Sequence, residues 1–256
     1  MSKKPLRLHW SRSKPNFGDA LSPLICEHLY GGPIIYAKIN RCDLVAQGSL
    51  LQRKREGVLT RRICVWGTGF IEAATPAPSK HQYFAVRGCE TRRCIRNIDP
   101  DVPLGDPGLL VHLLQKPTAG PKTHRIGLIC HYKDKGNPVV DRLCERFKEI
   151  VEIDVFAPVD HILAQIATCE VIFSSAMHGL IAADALGVPN AWIKLSDQVK
   201  GGAFKFRDYY SVFGLEAHPQ TLDDSLIAHR YRDIVDTYHR AGLEELQVRL
   251  MKSFPF

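Results

Sequence analysis

The segment with the clearest chemical potential joins a short apolar run to a predicted apolar helix. In FSSAMHG (173–179), His178 falls in the first turn of a helix that we expect to begin at Ala176 and to stop at Gly187 and Pro189. Free backbone N–H groups and the helix dipole make such a terminus an anion site, and either serine can cap it. The dipole also favours a neutral imidazole, which suits a general base or a hydrogen-bond donor to phosphate. A histidine that only caps or packs explains the residue equally well.

A second polar loop, KPNFGD (14–19), follows the first predicted strand. Gly18 permits a tight turn, while Asn16 and Asp19 offer polar side chains at the start of the next helix, with Asp19 placed to cap it. An Asx turn followed by a helix cap accounts for every residue without any function, and by itself it is the better interpretation.

Three further loops follow predicted strands. Gly67 and Gly69 form a weak phosphate-cradle pattern that lacks the third glycine and the lysine of nucleotide-binding loops. Arg87 could bind a phosphate or carboxylate with its forked guanidinium, although surface arginines are common. His131 ends the apolar run RIGLICH (125–131), where a structural histidine is the ordinary alternative.

The last candidate segment, GGAFKFRDYY (201–210), is rich in glycine and aromatic residues. Its cations, Lys205 and Arg207, could reach a bound anion if the segment were a mobile lid. A solvated loop fits the same residues.

The elements that position these loops alternate between short apolar runs and helical patterns, which is typical of a parallel α/β protein. The alternation restarts after KPTAGPKTH (116–124), which we interpret as a linker. We therefore predict two Rossmann-like domains, at 1–120 and 121–221, and a helical tail at 222–256 that packs back on the first domain. Ligands of such folds bind at the carboxyl ends of the strands, in the crevice between the halves.

The predicted elements alternate regularly in both halves. Strands are expected at 6–10, 44–47, 63–66, 84–86, 125–131, 151–156, 171–173 and 191–194, and helices at 21–29, 90–98, 139–147, 160–168 and 176–186.

The composition limits the class of protein. The 256 residues are 45% hydrophobic and 24% charged, which excludes disordered, collagen-like and coiled-coil chains. The net charge of +7 favours anionic partners without identifying them. Neither an apolar signal segment nor an apolar run near the ~20 residues of a membrane span is visible, so we expect a cytoplasmic protein.

Metal and nucleic-acid sites have little support. The eight cysteines and eleven histidines show no C-x-x-C or H-E-x-x-H spacing, so no metal is predicted. The basic clusters RKREGVLTRR (53–62) and RGCETRRCIR (87–96) lack interleaved stacking aromatics, and a solvated face explains them better than nucleic acid does.

Taken in order, the loops resemble the polysaccharide pyruvyl transferase family over about residues 8–210, most closely the branch acting on bacterial exopolysaccharides. The segments that carry the resemblance are NFGDALSP (16–23), VAQGSLL (45–51), VWGTGF (65–70), VRGCETRR (86–93), LGDPGLL (104–110), the His131–Tyr132 strand end, SAMHGLIAADALGVP (175–189) and FKFRDY (204–209). One position departs from the pattern: Ala176 stands where many members have arginine, two residues before the histidine.

The resemblance implies a GT-B-like arrangement of the two domains with the site in the inter-domain cleft. It implies phosphoenolpyruvate as donor, no cofactor, and transfer of the pyruvyl group to two hydroxyls of one sugar, with release of phosphate. A saccharide acceptor on a lipid carrier is common in this family, so contact with the inner face of the membrane is expected as well, and the basic surface suits it.

On this resemblance we expect His178 to transfer protons, with His131 as the alternate acid–base and Asp19 as a further catalytic group. The residues expected to bind substrate are Asn16, Gly67, Gly69, Arg87, Ser175, Met177, Lys205 and Arg207. The alternatives are a nucleotide-sugar glycosyltransferase of the same architecture and a non-catalytic anion- or saccharide-binding relative, with which Ala176 is compatible.

Overall fold

The computed structural model describes residues 3–12, 14, 16–53, 56, 60–114 and 122–256. Most of the predicted linker, residues 116–121, lies outside the described residues. So do residues 54, 55 and 57–59 of the first basic cluster.

The first half forms a five-stranded parallel sheet. Its strands are β1 (Leu6–His9), β2 (Ile34–Tyr36), β3 (Leu44–Val45), β4 (Cys64–Trp66) and β5 (Gln82–Ala85), in the order β2-β1-β3-β4-β5. Strand β1 carries the register, since Leu8 pairs with Tyr36 on one side and with Leu44 on the other. Strand β2 was not predicted, because three apolar residues at an exposed edge give no periodic signal.

The helices of this half are α1 (Phe17–Tyr30), α2 (Cys89–Arg93) and the 3-10 helices Leu51–Arg53 and Pro107–Leu113. The prediction that Asp19 caps α1 is wrong. Asn16 is the cap, since its side chain accepts a hydrogen bond from Asp19 N. The helix therefore starts one turn earlier than predicted, and it includes Pro23 in its interior rather than in its first turn.

The second half forms a four-stranded parallel sheet. Its strands are β6 (His124–Ile129), β7 (Ile150–Glu152), β8 (Cys169–Ser174) and β9 (Asn190–Trp192), in the order β7-β6-β8-β9. Helices α3 (Pro138–Arg146), α4 (Val159–Ala167) and α5 (Met177–Ala185) connect them. The predicted α/β class with two parallel sheets is confirmed.

The glycine-rich segment after β9 contains helix α6 (Phe204–Tyr210). Its aromatic residues are buried, and the Phe206 ring stacks on Trp192 with centroids 4.2 Å apart. These contacts hold α6 in the core, so the part of the segment that carries Lys205 and Arg207 is a packed helix rather than a solvated loop.

The tail consists of a π-helix (Leu226–Arg230), α7 (Tyr231–Thr237) and α8 (Leu243–Lys252). Helix α8 returns to the first sheet, where Trp66 Nε1 donates a hydrogen bond to Leu250 O at 3.1 Å. The Phe254 ring meets the Trp66 ring edge-on at 5.0 Å. No helix in the described part of the chain combines the length and apolar character needed to cross a membrane.

The two halves also meet directly. Helix α1 of the first half packs on α4 and α5 of the second, and one buried cluster includes Leu21 together with Leu163 and Ile181. The α1 terminus is joined to the second half by a hydrogen bond from Phe17 N to Val155 O of 2.7 Å. The loops that follow the strands of both sheets are thereby brought together.

Candidate functional site

A cavity of about 180 Å³ lies where the start of α1, the loop after β3, the loop after β6 and the start of α5 meet. Six of the residues predicted for the site line it: Asn16, Asp19, His131, Met177, His178 and Lys205. The lining therefore combines residues from both halves of the chain, with two histidines, one carboxylate and one buried lysine.

His178 is the second residue of α5, and its imidazole fits against the backbone of Gly18. A Cβ atom at Gly18 would overlap His178 Nδ1, so only glycine permits this approach between α1 and α5. The other ring nitrogen, Nε2, lies 3.8 Å from Asp106 Oδ2 and has no hydrogen-bond partner among the described residues.

The Asp106 carboxylate is fully buried and rigidly held. Its Oδ1 accepts a hydrogen bond from Gly108 N at 2.9 Å, and Oδ2 accepts one from Gly48 N at 3.3 Å. Sequence reasoning missed this residue as a site residue. Within LGDPGLL it has the pattern of a turn and helix cap, and it does cap the helix that starts at Pro107.

The N-terminus of α5 has no side-chain cap. The prediction that a serine caps it is wrong, since the N-cap is Ala176. The Ser174 hydroxyl donates to Ile129 O at 2.8 Å, and the Ser175 hydroxyl donates to Asp134 Oδ2 at 2.7 Å. The first turn of α5, with Met177 lining the cavity, keeps the character of an anion site.

Lys205 on α6 supplies a cation to the cavity. The residue is only 8% exposed, and burial, followed by the nearby charge of Arg87, lowers the pKa of its ammonium to about 8. Within the described ranges, no carboxylate oxygen lies within the 4 Å of an ion pair with Lys205. An entering anion would relieve this unpaired charge.

His131 lies two residues after the end of β6, and its backbone N–H donates to Ser175 Oγ at 2.9 Å. Burial, followed by the charge of Lys205, lowers the pKa of the imidazole to about 4, so the ring is neutral at pH 7. Nδ1 accepts a hydrogen bond from Lys133 N at 3.3 Å. The ring proton is therefore on Nε2, and His131 can donate a hydrogen bond there.

Asn16 and Asp19 border the cavity from the first half. The Asn16 amide donates to Asp19 Oδ2 at 2.9 Å, and this bond fixes the Asp19 carboxylate in the first turn of α1. Both residues belong to the KPNFGD loop, which we expected to offer polar side chains at the start of this helix.

The structure does not bring Arg87 to the cavity. Its guanidinium is completely buried, and Nε donates to Asp208 Oδ2 at 2.8 Å. The other nitrogens donate to Gly48 O, Ser49 Oγ and Phe70 O. This arrangement corrects the direct contact with phosphate or carboxylate that was expected of Arg87, because its donors are bound within the protein.

Four other predicted residues also lie outside the lining of the cavity. A Cβ at Gly69 would lie 2.6 Å from Arg87 Cζ, and one at Gly67 would overlap Pro107, so both glycines serve close packing. Arg207 is exposed on α6, and Ser175 is buried. Among the described residues, no three His, Cys, Asp or Glu side chains group as they would to hold a metal ion.

Comparison with known proteins gives a family match over most of the chain. A family model described as polysaccharide pyruvyl transferase matches residues 7–197. An uncharacterized protein of Acanthamoeba polyphaga mimivirus is 25% identical over 226 residues, which are 84% of this chain and 76% of the viral protein. The succinoglycan biosynthesis protein ExoV of Rhizobium meliloti is 24% identical over 218 residues, or 84% of this chain and 66% of ExoV.

A solved structure is also similar in part. The crystal structure of an uncharacterized protein from Klebsiella pneumoniae covers 85% of this chain and 92% of its own, with 11% identity and a TM-score of 0.44.

Proposed function

Since the chain belongs to the polysaccharide pyruvyl transferase family, we propose that it transfers a pyruvyl group from phosphoenolpyruvate to two hydroxyls of one sugar in a saccharide. The product is a cyclic ketal, and phosphate is released. The observation that carries the proposal is the combination, in one cavity, of a buried cation, an uncapped helix N-terminus and two histidines.

The reaction needs both proton transfer and fixed positive charge. The methylene carbon of the donor gains a proton, and the adjacent carbon forms bonds to the two sugar oxygens while its bond to the phosphate oxygen breaks. Of the two hydroxyl protons, one balances the proton taken up by the methylene carbon, and the other leaves with phosphate. A site for this chemistry requires an acid, a base and positive charge facing the leaving group.

Lys205 and the first turn of α5 supply that positive charge. The helix terminus offers backbone N–H groups and the positive end of its dipole, while the ammonium of Lys205 is buried and unpaired. Neutral His131 adds a hydrogen-bond donor at Nε2 for an anionic oxygen. Together these groups supply the positive charge that arginine provides in many family members at the position occupied here by Ala176.

His178 is the group that moves the proton to and from the reacting atoms. Asp106 is placed to orient the ring, because its buried carboxylate lies 3.8 Å from Nε2 and offers that nitrogen a hydrogen-bond acceptor. Hydrogen bonds of catalytic groups are often long before substrate binds, and this separation is compatible with one that tightens in the complex.

Asp19 and Asn16 face the acceptor from the first half, and Asp19 acts as the base toward a sugar hydroxyl. This assignment places the acceptor opposite the donor, as a GT-B-like arrangement with a cleft between the halves requires. The lining of the cavity by residues of both halves supports it. An acceptor on a lipid carrier, reached at the inner face of the membrane, completes the proposal.

The test is incubation of the protein with phosphoenolpyruvate and a panel of saccharides. We expect release of one phosphate for each ketal-linked pyruvate detected by mass, abolished in His178→Ala and retained in His218→Ala, a control at an exposed histidine. Near-native phosphate release by His178→Ala would overturn the catalytic assignment. Thermal stabilisation by nucleotide-diphosphate sugars but not by phosphoenolpyruvate would replace the proposal with a glycosyltransferase.

A further inference from the structure

A buried ion pair connects the loop after β5 to helix α6. Arg87 Nε donates to Asp208 Oδ2 at 2.8 Å, and both side chains are completely buried. Thr91 completes the shell of Asp208, since its N donates to Oδ1 at 2.8 Å and its hydroxyl donates to Oδ2 at 2.6 Å. Arg87, Thr91 and Asp208 thus form a closed network.

The two segments that carry this network are in backbone contact. A Cβ atom at Gly88 would overlap the carbonyl of Asp208, so the loop approaches α6 as closely as two backbones can. Cys89 N adds a hydrogen bond to Ser211 Oγ at 2.9 Å, just beyond the end of α6. The orientation of α6 relative to the first half is therefore fixed at both ends of the helix's last turn.

Asp208 lies one turn after Lys205 on the same helix face, because residues three apart are neighbours on an α-helix. Asp208, which the network holds by hydrogen bonds, is therefore adjacent to Lys205, which lines the cavity. The Arg87 guanidinium also binds Gly48 O and Ser49 Oγ, two residues of the cavity wall.

We propose that Arg87 and Asp208 are a buried positioning pair, which holds the Lys205 ammonium at the cavity and so sets the affinity for the anionic donor without touching it. The inference rests on the proposed function for the identity of that donor. A positioning role explains why Arg87 follows a strand, as ligand-binding residues often do, yet donates its hydrogen bonds to other groups of the protein.

The pair also acts on Lys205 through charge. Charged or titratable groups act on the ammonium from two other segments: Arg87 after β5, and His131, Lys133 and Asp134 after β6. Removing Arg87 takes a cation away and favours protonated Lys205, whereas removing the charge of Asp208 leaves Arg87 uncompensated and disfavours it. The two substitutions therefore have opposite effects on the same group.

The experiment measures the titration of Lys205 by trace acetylation at a series of pH values, followed by peptide mass spectrometry, in Arg87→Gln and Asp208→Asn. Relative to wild type, we expect the titration midpoint of Lys205 to rise by about half a pH unit or more in Arg87→Gln and to fall by a similar amount in Asp208→Asn. Exposed Lys252 is the internal reference, which should label alike in every protein. Equal Lys205 titration midpoints in wild type, Arg87→Gln and Asp208→Asn would overturn the proposal.

Steady-state kinetics then read the effect on the donor. In both variants KM for phosphoenolpyruvate rises by about 10-fold while kcat changes by less than about 3-fold. Thr91→Val, which keeps both charges and the side-chain volume, raises KM in the same direction, and Thr91→Ser restores it. If Arg87→Gln or Asp208→Asn fails to fold, the two Thr91 variants test the positioning role instead. An unchanged KM for phosphoenolpyruvate in Thr91→Val would count against that role.

The labelling needs no substrate, so the two proposals fail separately. Opposite midpoint shifts in a protein that does not turn over phosphoenolpyruvate would overturn the proposed function and leave the positioning pair standing. Normal turnover of phosphoenolpyruvate with unchanged Lys205 titration midpoints would overturn the positioning pair and leave the proposed function standing.

Discussion

His178 Nε2 and Asp106 Oδ2 lie 3.8 Å apart, although Asp106 follows the last strand of the first sheet and His178 follows β8 of the second. Asp106 is held by two backbone N–H groups, and His178 is held by the close approach of Gly18. The imidazole is therefore oriented by the first half of the chain while its backbone belongs to the second. Its orientation depends on the relative position of the two halves.

Asp106→Asn tests the role of the carboxylate. The amide keeps the shape of the side chain but removes the negative charge beside His178 Nε2, so we expect kcat to fall by about 10- to 100-fold with little change in KM for phosphoenolpyruvate. Donor-dependent phosphate release measures both constants. Asp101→Asn, at an exposed position, is the matched control and should retain wild-type kcat. An unchanged kcat in Asp106→Asn would remove Asp106 from the mechanism.

Gly18→Ala tests the approach of α1 to α5. The added methyl group overlaps His178 Nδ1, so either the imidazole or the helix must move. Because small misplacements of a catalytic group are costly, we expect kcat to fall by about 10-fold or more. Gly242→Ala provides the control, since its Cβ meets no atom within 4 Å. The control costs about 1 kcal/mol of stability because φ is +72°, and it leaves kcat unchanged. Equal activities of the two variants would contradict this reading of Gly18.

The sequence sufficed to predict the α/β class because both sheets are built from apolar runs that alternate with helical patterns. It also indicated which loops converge, since His131 and His178 both follow strands of one parallel sheet. Element ends were less predictable. The start of α1 depends on whether Asn16 or Asp19 caps it, and both residue types are good caps.

The roles of charged residues were the hardest to predict. Arg87 follows a strand in the manner of a ligand-binding residue, but its partner Asp208 is 121 residues away and no local pattern connects the two. Asp106 likewise has the pattern of a turn residue, and only the fold places His178 beside it. Contacts of this kind depend on tertiary structure, so spacing along the chain cannot give them.

The pH dependence of donor affinity follows from Lys205. Burial, followed by the charge of Arg87, lowers the pKa of the ammonium to about 8. Only the protonated form attracts an anion, so we expect KM for phosphoenolpyruvate to be constant at neutral pH and to rise as the pH passes about 8. Lys205→Met should raise KM at neutral pH and abolish the rise, whereas Lys252→Met, at an exposed lysine, should preserve it. A rise that persists in Lys205→Met would assign it to another group.

The pH dependence of stability follows from His131. Burial, followed by the charge of Lys205, lowers the pKa of its imidazole from 6.5 to about 4 in the folded protein. Between these values the unfolded chain binds more protons than the folded one, so the free energy of unfolding falls as the pH drops from 6.5 towards 4. For this one group the loss by pH 4 is about 2–3 kcal/mol.

Urea unfolding at pH 7 and at pH 4.5 measures the difference in wild type and in His131→Asn. The variant has no imidazole to protonate, so its free energy of unfolding should fall less between the two pH values, by about 2 kcal/mol. His161→Asn, an exposed histidine on α4, is the control and should keep the wild-type dependence. Identical losses in wild type and His131→Asn would mean that His131 does not stay neutral in the folded protein. Its assignment as a neutral hydrogen-bond donor in the cavity would then fail.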